Sequence, residues 1–325
     1  MRVVLVSSRS FGNVVSIGTD LLRDAGLEVR RISKEERPLD DAKLASIVAR
    51  EVPNVLITGA EPVSEHVLSA TDDLRMIMKH GVGVDNIDLG AATSRGIAVA
   101  NAPGTNTEAV ADLAVGLMLS LLRFVCAASA STRSGDWKRY IGRELGAMIV
   151  GIVGTGRIGA AVARRVRAFG AEVLGYDVVK NAELESTYGV RYVPLDRLLS
   201  EADIVTLHAP LIPETANMIA KEQLESMKPA ALLVNCARGE LVDEAALYEH
   251  LRSGGIAGAA VDVFATEPPQ QSPLLALDNV LATPHIGAYT HEAMEAMDRL
   301  CSETIIDVLL RGRIPDNLLN PEVLQ

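Results

Sequence analysis

The run Ile149-Val150-Gly151-Ile152-Val153-Gly154-Thr155-Gly156-Arg157-Ile158-Gly159 decides the fold. It sets Gly154, Gly156 and Gly159 in the spacing GxGxxG, directly after an apolar strand and directly before the helical pattern of residues 160–169. Gly154 permits a tight turn, Gly156 lets backbone approach a pyrophosphate, and Gly159 lets helix and strand pack closely. Phosphates then sit at a helix N-terminus, where free N–H groups and the helix dipole favour negative charge. Alone, the spacing is a weak signal. It gains from a second strand, Glu172-Val173-Leu174-Gly175-Tyr176, which ends in Asp177 about 20 residues beyond the loop, the place of a ribose-binding acid. A carboxylate there accepts hydrogen bonds from both ribose hydroxyls and repels a 2′-phosphate, so NAD is expected rather than NADP.

Working outward, apolar runs alternate with helical patterns along the whole chain, the signature of parallel sheets. Strands are expected at 3–7, 28–32, 55–58, 74–78 and 97–100, then at 147–153, 172–176, 204–207, 231–235, 257–261 and 280–282. Asn101-Ala102-Pro103-Gly104 breaks the series. Thr105, with Glu108 three positions on, reads as a capping box that starts a helix running to about residue 123. Its apolar part, 109–122, contains Asp112 and is shorter than the ~20 residues that span a bilayer, so a buried helix is expected. Residues 290–311 carry a final helical pattern.

At ~100–200 residues per domain, 325 residues make about two domains, and a crevice between two α/β domains is a good place for a small-molecule site. Forty-two acids against 31 bases give a net charge of −11, which argues against nucleic-acid or polybasic membrane partners. Cys126, Cys236 and Cys301 form no CxxC pair and no metal spacing. The chain also begins with a strand-like run rather than a long apolar leader, so a reduced, cytoplasmic protein with no metal site is expected.

Polar groups follow several apolar runs, where the carboxyl ends of parallel strands open into a crevice. They are His208-Ala209-Pro210, Cys236-Ala237-Arg238-Gly239, Asp262 with Glu267, and Thr283-Pro284-His285-Ile286-Gly287. An arginine, a glutamate and a histidine suit carbonyl/alcohol redox chemistry. The histidine supplies or takes the proton, the carboxylate orients its ring and favours the imidazolium, and the guanidinium clamps a substrate carboxylate with two hydrogen bonds. Arg238 is read as the clamp, Glu267 as the partner and His285 as the acid/base. Singly, each has a bland reading as well: an ion pair, a turn cap or a satisfied core imidazole. His66, His250 and His291 read as surface or packing residues, and His80 is left open.

These residues and their order resemble the NAD-dependent D-2-hydroxyacid dehydrogenases, in the phosphoglycerate-dehydrogenase-like branch. The likeness runs from about residue 81 to 317. It is carried by Gly81-Val82-Gly83-Val84-Asp85-Asn86-Ile87-Asp88, Asn101-Ala102-Pro103-Gly104, the glycine loop, His208-Ala209-Pro210-Leu211 with Thr215, and Asn235-Cys236-Ala237-Arg238-Gly239. Asp262-Val263-Phe264 with Glu267-Pro268 and Thr283-Pro284-His285-Ile286-Gly287 complete it. The resemblance implies an α/β enzyme of two doubly wound parallel-sheet domains: a Rossmann NAD-binding domain at 101–288, inserted in a flavodoxin-like substrate domain of 1–100 plus 289–325. It implies cofactor contacts from Val110, Gly154, Gly156, Arg157, Ile158, Gly159, Asp177, His208, Ala209, Pro210, Thr215, Cys236, Ala237, Asp262 and Gly287. Arg238, Glu267 and His285 are then catalytic, and Lys79, Gly81, Val82, Gly83, Arg238 and His285 bind substrate.

The implied substrate is a small 2-hydroxy/2-keto acid, with a distal anionic group as one form of it. Relatives that take a phosphorylated substrate often carry arginine where Lys79 stands, and the sequence ends at Gln325 without the regulatory domain of many serine-pathway enzymes. The segment 121–143, with Trp137, usually belongs to a two-fold interface in such proteins, so a homodimer is expected. Two other readings stay open: a dehydrogenase of another small anion such as phosphite or formate, and a dinucleotide-sensing binding protein like the corepressors built on this fold.

Overall fold

The structure, a computed structural model, describes residues 2–324; Met1 and Gln325, the outermost residues of the expected substrate domain, lie outside the described residues. The chain forms two compact units, one reaching to Asn106 and resuming at Tyr289, the other Thr107–Ala288.

In the first unit the strands β1 (Val3–Val6), β2 (Glu28–Arg31), β3 (Val55–Thr58), β4 (Met76–Lys79) and β5 (Ala98–Ala100) make a parallel sheet of order β2-β1-β3-β4-β5. β1, β3 and β4 are buried along their whole length, which is why they read as unbroken apolar runs rather than as alternation. β4 lies later than the expected 74–78. Arg75 and Met76 both donate to the Asn54 carbonyl, and pairing begins only with Met76 opposite Val55. The helix His291–Arg311, capped by Thr290 accepting from the Ala293 amide at 3.1 Å, returns to this unit. There Ser302 Oγ donates to the Gly18 carbonyl at 2.9 Å. The tail then seals the edge of β5: Asn320 accepts from the Val99 amide at 2.7 Å and donates to the Ile97 carbonyl at 2.9 Å.

The second unit holds β6 (Ile149–Val153), β7 (Glu172–Tyr176), β8 (Arg191–Tyr192), β9 (Ile204–Leu207), β10 (Leu232–Asn235), β11 (Gly258–Val261) and β12 (Val280–Ala282). All pair in parallel, in the order β12-β11-β10-β9-β6-β7-β8. The order reverses between β6 and β9, and a doubly wound sheet binds ligands outside the carboxyl ends at that switch point.

The helix Thr107–Leu122 buries most of its apolar residues, and among the described residues no single helix is long and apolar enough to cross a membrane. Its start corrects the expected capping box. Thr105 Oγ1 donates to the Ala102 carbonyl at 2.8 Å, the helix begins at Thr107, and Glu108 pairs with Arg165 at 2.7 Å instead. The turn at 101–104 offers the threonine a nearer partner than the helix does. Arg165 also reaches Asp112 at 2.7 Å, joining this helix to Arg157–Ala168, whose buried face is mostly alanine and valine.

Candidate active site

The loop after β6 turns at Gly154, whose φ of +90° disfavours any side chain and where a Cβ would lie 2.6 Å from the Ala209 nitrogen. At Gly159 a Cβ would stand 1.9 Å from the Gly154 carbonyl oxygen, so helix and strand close only over glycine. Gly156 differs. A Cβ there meets no protein atom within 4 Å, so its bareness leaves space in front of the loop. Gly156 is the N-cap of Arg157–Ala168 and supplies no side-chain cap, and the first-turn amides of Arg157, Ile158 and Gly159 have no intrahelical acceptor.

Asp177 stands at the end of β7. Its Oδ2 accepts from the Thr155 amide at 2.6 Å and the Thr155 hydroxyl at 3.1 Å, and its Oδ1 accepts from the Val179 amide at 3.1 Å. His208 follows β9 beside Gly154. Its Nε2 lies 2.9 Å from Thr206 Oγ1, its Nδ1 is buried without a partner, and burial pushes its pKa down to about 4. A neutral imidazole with an orphaned polar atom at the switch point, a glycine that leaves space and a row of free amides together fit the phosphates and ribose of NAD.

The remaining expected cofactor contacts divide into two kinds. Thr215 spends its hydroxyl on the Pro210 carbonyl at 2.6 Å and accepts from the Ile212 amide, bracing the 210–215 loop. Buried Cys236 is an inert thiol, its pKa raised by burial and by the charge of Asp262. Ala209 is buried, Pro210 is exposed, and Ala237 is held by its amide to Asn235 Oδ1 at 3.1 Å. Val110 is buried, and its Cγ2 would lie 3.3 Å from a Cβ on Gly287. Asp262, 1% exposed, takes Thr283 Oγ1 at 2.6 Å and the amides of Ile286 and Gly287 at 2.8 Å. It holds the 283–287 loop together.

The three residues expected to be catalytic lie in the second unit. His285 Nδ1 is 2.8 Å from Glu267 Oε2, and Glu267 Oε1 accepts from the Phe264 amide at 3.2 Å. Burial works to raise the Glu267 pKa. The hydrogen bond and charge of His285, the Phe264 amide and the Arg238 charge outweigh it, leaving the carboxyl below its ordinary range. Arg238 is fixed at the start of the short helical turn Gly239–Leu241, its carbonyl accepting from Asn235 Nδ2 at 2.8 Å and its Nη1 donating to the Ala237 carbonyl at 2.8 Å. His285 has a φ of +53°, a strained conformation for a non-glycine residue of the kind that clusters at functional sites. With Nδ1 against the carboxylate, Nε2 is the ring nitrogen that Glu267 does not engage.

The first unit carries the other expected substrate residues. The Gly81 carbonyl accepts from the Ala102 amide at 2.8 Å and the Val82 carbonyl from Asn101 Nδ2 at 2.7 Å. In a trans peptide N–H and C=O point oppositely, so the Val82 and Gly83 amides face away from Asn101 and Ala102 as a pair. Lys79 is buried, not a surface lysine; its Nζ donates to the Gly59 carbonyl at 2.6 Å and Asn86 Oδ1 at 2.5 Å. His80 lies inside as well, Nε2 to Asp298 Oδ1 at 2.7 Å and Nδ1 to Ser10 Oγ at 2.9 Å, with the side chains of His80 and Asp298 each 1% exposed. The sequence pattern does not mark Asp298, and Asn101 enters it only within the break at 101–104. Asn106 was also passed over, although its Oδ1 is buried without a partner.

A doubly wound unit with a dinucleotide loop and a Glu–His pair beside an arginine defines a nicotinamide-dependent dehydrogenase. The profile of the D-isomer specific 2-hydroxyacid dehydrogenase, NAD binding domain, matches residues 115–287. The chain belongs to the D-isomer specific 2-hydroxyacid dehydrogenase family and is an NAD-dependent oxidoreductase. It is 45% identical over 272 residues to a glyoxylate reductase of Korarchaeum cryptofilum, covering 82% of each chain. It is 42% identical over 304 residues to a D-3-phosphoglycerate dehydrogenase of Methanocaldococcus jannaschii, covering 92% of this chain but 56% of that protein. The D-lactate dehydrogenase of Aquifex aeolicus, solved with NAD and lactic acid, superposes with a TM-score of 0.84 at 28% identity, over 98% of this chain and 99% of that one.

Proposed function

We propose that the enzyme reduces a small 2-keto acid without a phosphate group to the D-2-hydroxy acid, and runs the reverse oxidation when product is abundant. The observation that carries this reading is the 2.8 Å contact of His285 Nδ1 with Glu267. When bound, the nicotinamide supplies or accepts the hydride. Arg238 pairs with the substrate carboxylate and polarises the neighbouring carbonyl. His285 gives its Nε2 proton to the carbonyl oxygen, and Glu267 stabilises the imidazolium before that transfer. The Val82 and Gly83 amides, with the Lys79 side chain against Gly81, are assigned to substrate carboxylate recognition in the first unit. The ammonium of Lys79 is already directed at Gly59 and Asn86, which favours a short substrate over one with a distal phosphate. A formate-type reaction leaves the proton donor without a task, since no alkoxide forms.

The experiment is NADH oxidation across glyoxylate, hydroxypyruvate, pyruvate and 3-phosphohydroxypyruvate. Turnover is expected with the short acids, and Arg238→Lys should raise KM because a point charge replaces a planar fork. Tight NADH binding with no turnover on any acid would support the sensing protein instead. We also assign the enzyme to the cytoplasm and to a homodimer. The segment around the helix Val125–Ser134 exposes Phe124, Val125, Trp137 (68%) and Ile141 (98%), an apolar patch suited to a second copy. Sedimentation equilibrium giving a monomer would remove the dimer.

A further inference from the structure

We infer that Tyr192 is a positioning residue for coenzyme choice: through Thr155 its hydroxyl holds the Asp177 carboxylate where it accepts a ribose hydroxyl and repels a 2′-phosphate. The inference rests on the coenzyme reading given above.

The geometry is a one-way hydrogen-bond chain. The Asn181 amide donates to Tyr192 Oη at 2.9 Å, and Tyr192 Oη donates to Thr155 Oγ1 at 2.8 Å. Thr155 Oγ1 donates in turn to Asp177 Oδ2 at 3.1 Å. Each hydroxyl has one proton, so each accepts once and donates once, and the chain ends on a carboxylate. Such chains polarise along their length. Its far end is anchored, because Asn181 caps the helix Ala182–Tyr188 with its own side chain. The tyrosine ring is fixed as well: a Cβ on Gly175 would lie 3.2 Å from Tyr192 Cε1, so the ring rests against bare backbone of β7.

With the Thr155 and Val179 amides, the chain gives the carboxylate three donors. A carboxylate has about four acceptor positions, so one remains, on Oδ1. Asp177 therefore meets the ribose through a single oriented oxygen rather than as a freely turning group that takes both hydroxyls. A carboxylate that cannot turn aside is also a fixed negative charge against a 2′-phosphate. Lys180, with Nζ 5.9 Å from the Tyr192 ring centre, brings a positive charge close by that favours that phosphate. Fixing the acid decides which of the two charges the ribose edge meets.

The test is equilibrium binding of NADH and NADPH, read by their nicotinamide fluorescence and independent of turnover. Tyr192→Phe keeps the ring and its contact with Lys180 and removes only the hydroxyl. The Kd for NADH should rise roughly three- to ten-fold, the size of one ordinary hydrogen bond, while that for NADPH does not rise. Thr155→Ser should keep the wild-type ratio and Thr155→Val should lose it. Adding Tyr192→Phe to Thr155→Val should then change nothing more, because the tyrosine acts through that hydroxyl. An unchanged ratio in Tyr192→Phe, or both Kd values rising together, overturns the relay. Wild-type protein that binds neither coenzyme overturns the coenzyme reading and the relay with it, whereas normal NADH preference with an unchanged ratio in the variant overturns the relay alone. Since Thr155 is buried, Thr155→Val is the variant at risk of misfolding; Tyr192→Phe, on a two-residue edge strand, decides the question without it.

Discussion

Asp262 grips the strained turn that carries His285: its carbonyl accepts the His285 amide at 2.9 Å, and its carboxylate accepts the amides of the next two residues at 2.8 Å. A left-handed histidine costs on the order of 1–3 kcal/mol, and the buried carboxylate supplies the hydrogen bonds that offset it. An amide at this position has a single acceptor oxygen and cannot serve Thr283, Ile286 and Gly287 together. Asp262→Asn should therefore lose about 1–3 kcal/mol in urea unfolding and lower kcat, with NADH still bound. Wild-type kcat in this variant would show that the turn is held by other groups.

His285→Gln should lower kcat by ~10²–10⁴-fold, the scale of a general acid/base, with little change in the Kd for NADH. Glu267→Gln keeps a partner for the ring but removes the charge that stabilises the imidazolium. The kcat for keto-acid reduction should then fall, by less than in His285→Gln. Steady-state rates from pH 5 to 9 check both, and a normal rate in His285→Gln would remove it from the chemistry.

His208 bears on stability against pH. Its native pKa lies at about 4, below the ordinary 6.5, so the unfolded chain takes up a proton between these values that the folded chain refuses. Stability from this residue is whole above pH 6.5, declines as pH falls, and levels off below about 4. The span is up to about 3 kcal/mol. In urea titrations without coenzyme, His208→Asn should flatten that slope. An equal slope in both proteins would mean that the ring is solvated.

The pair His80–Asp298 is a stability element of the first unit. Asp298 also accepts from the Gly12 amide at 2.8 Å. Asp298→Ala leaves an imidazole and a backbone amide buried without an acceptor, and should cost about 3–5 kcal/mol. Asp298→Asn keeps one acceptor and should cost less. Urea midpoints for both variants measure this.

The sequence pattern marked the elements that depend on local chemistry. The strands showed as apolar runs because parallel sheets bury both faces, and Arg238, Glu267 and His285 showed because each follows such a run. Features that depend on distant partners did not show. Nothing near His80 foretells Asp298, 218 positions away. Thr105 has the right neighbour for a cap, yet the Ala102 carbonyl takes its proton. The strand Arg191–Tyr192 is too short to carry a periodicity, although its tyrosine reaches Thr155. Lys79 is expected to bind substrate, and only the folded chain shows its ammonium directed at Gly59 and Asn86.

The helix His291–Arg311 completes a sheet whose strands were all laid down before residue 101. During synthesis, the ribosome delivers that sheet with Phe11 and His80 still facing water, and makes the entire second unit before the cover arrives. Release of the nascent chain before residue 291 would leave a sticky half-built lobe, so this enzyme should lean on chaperones until that helix is made.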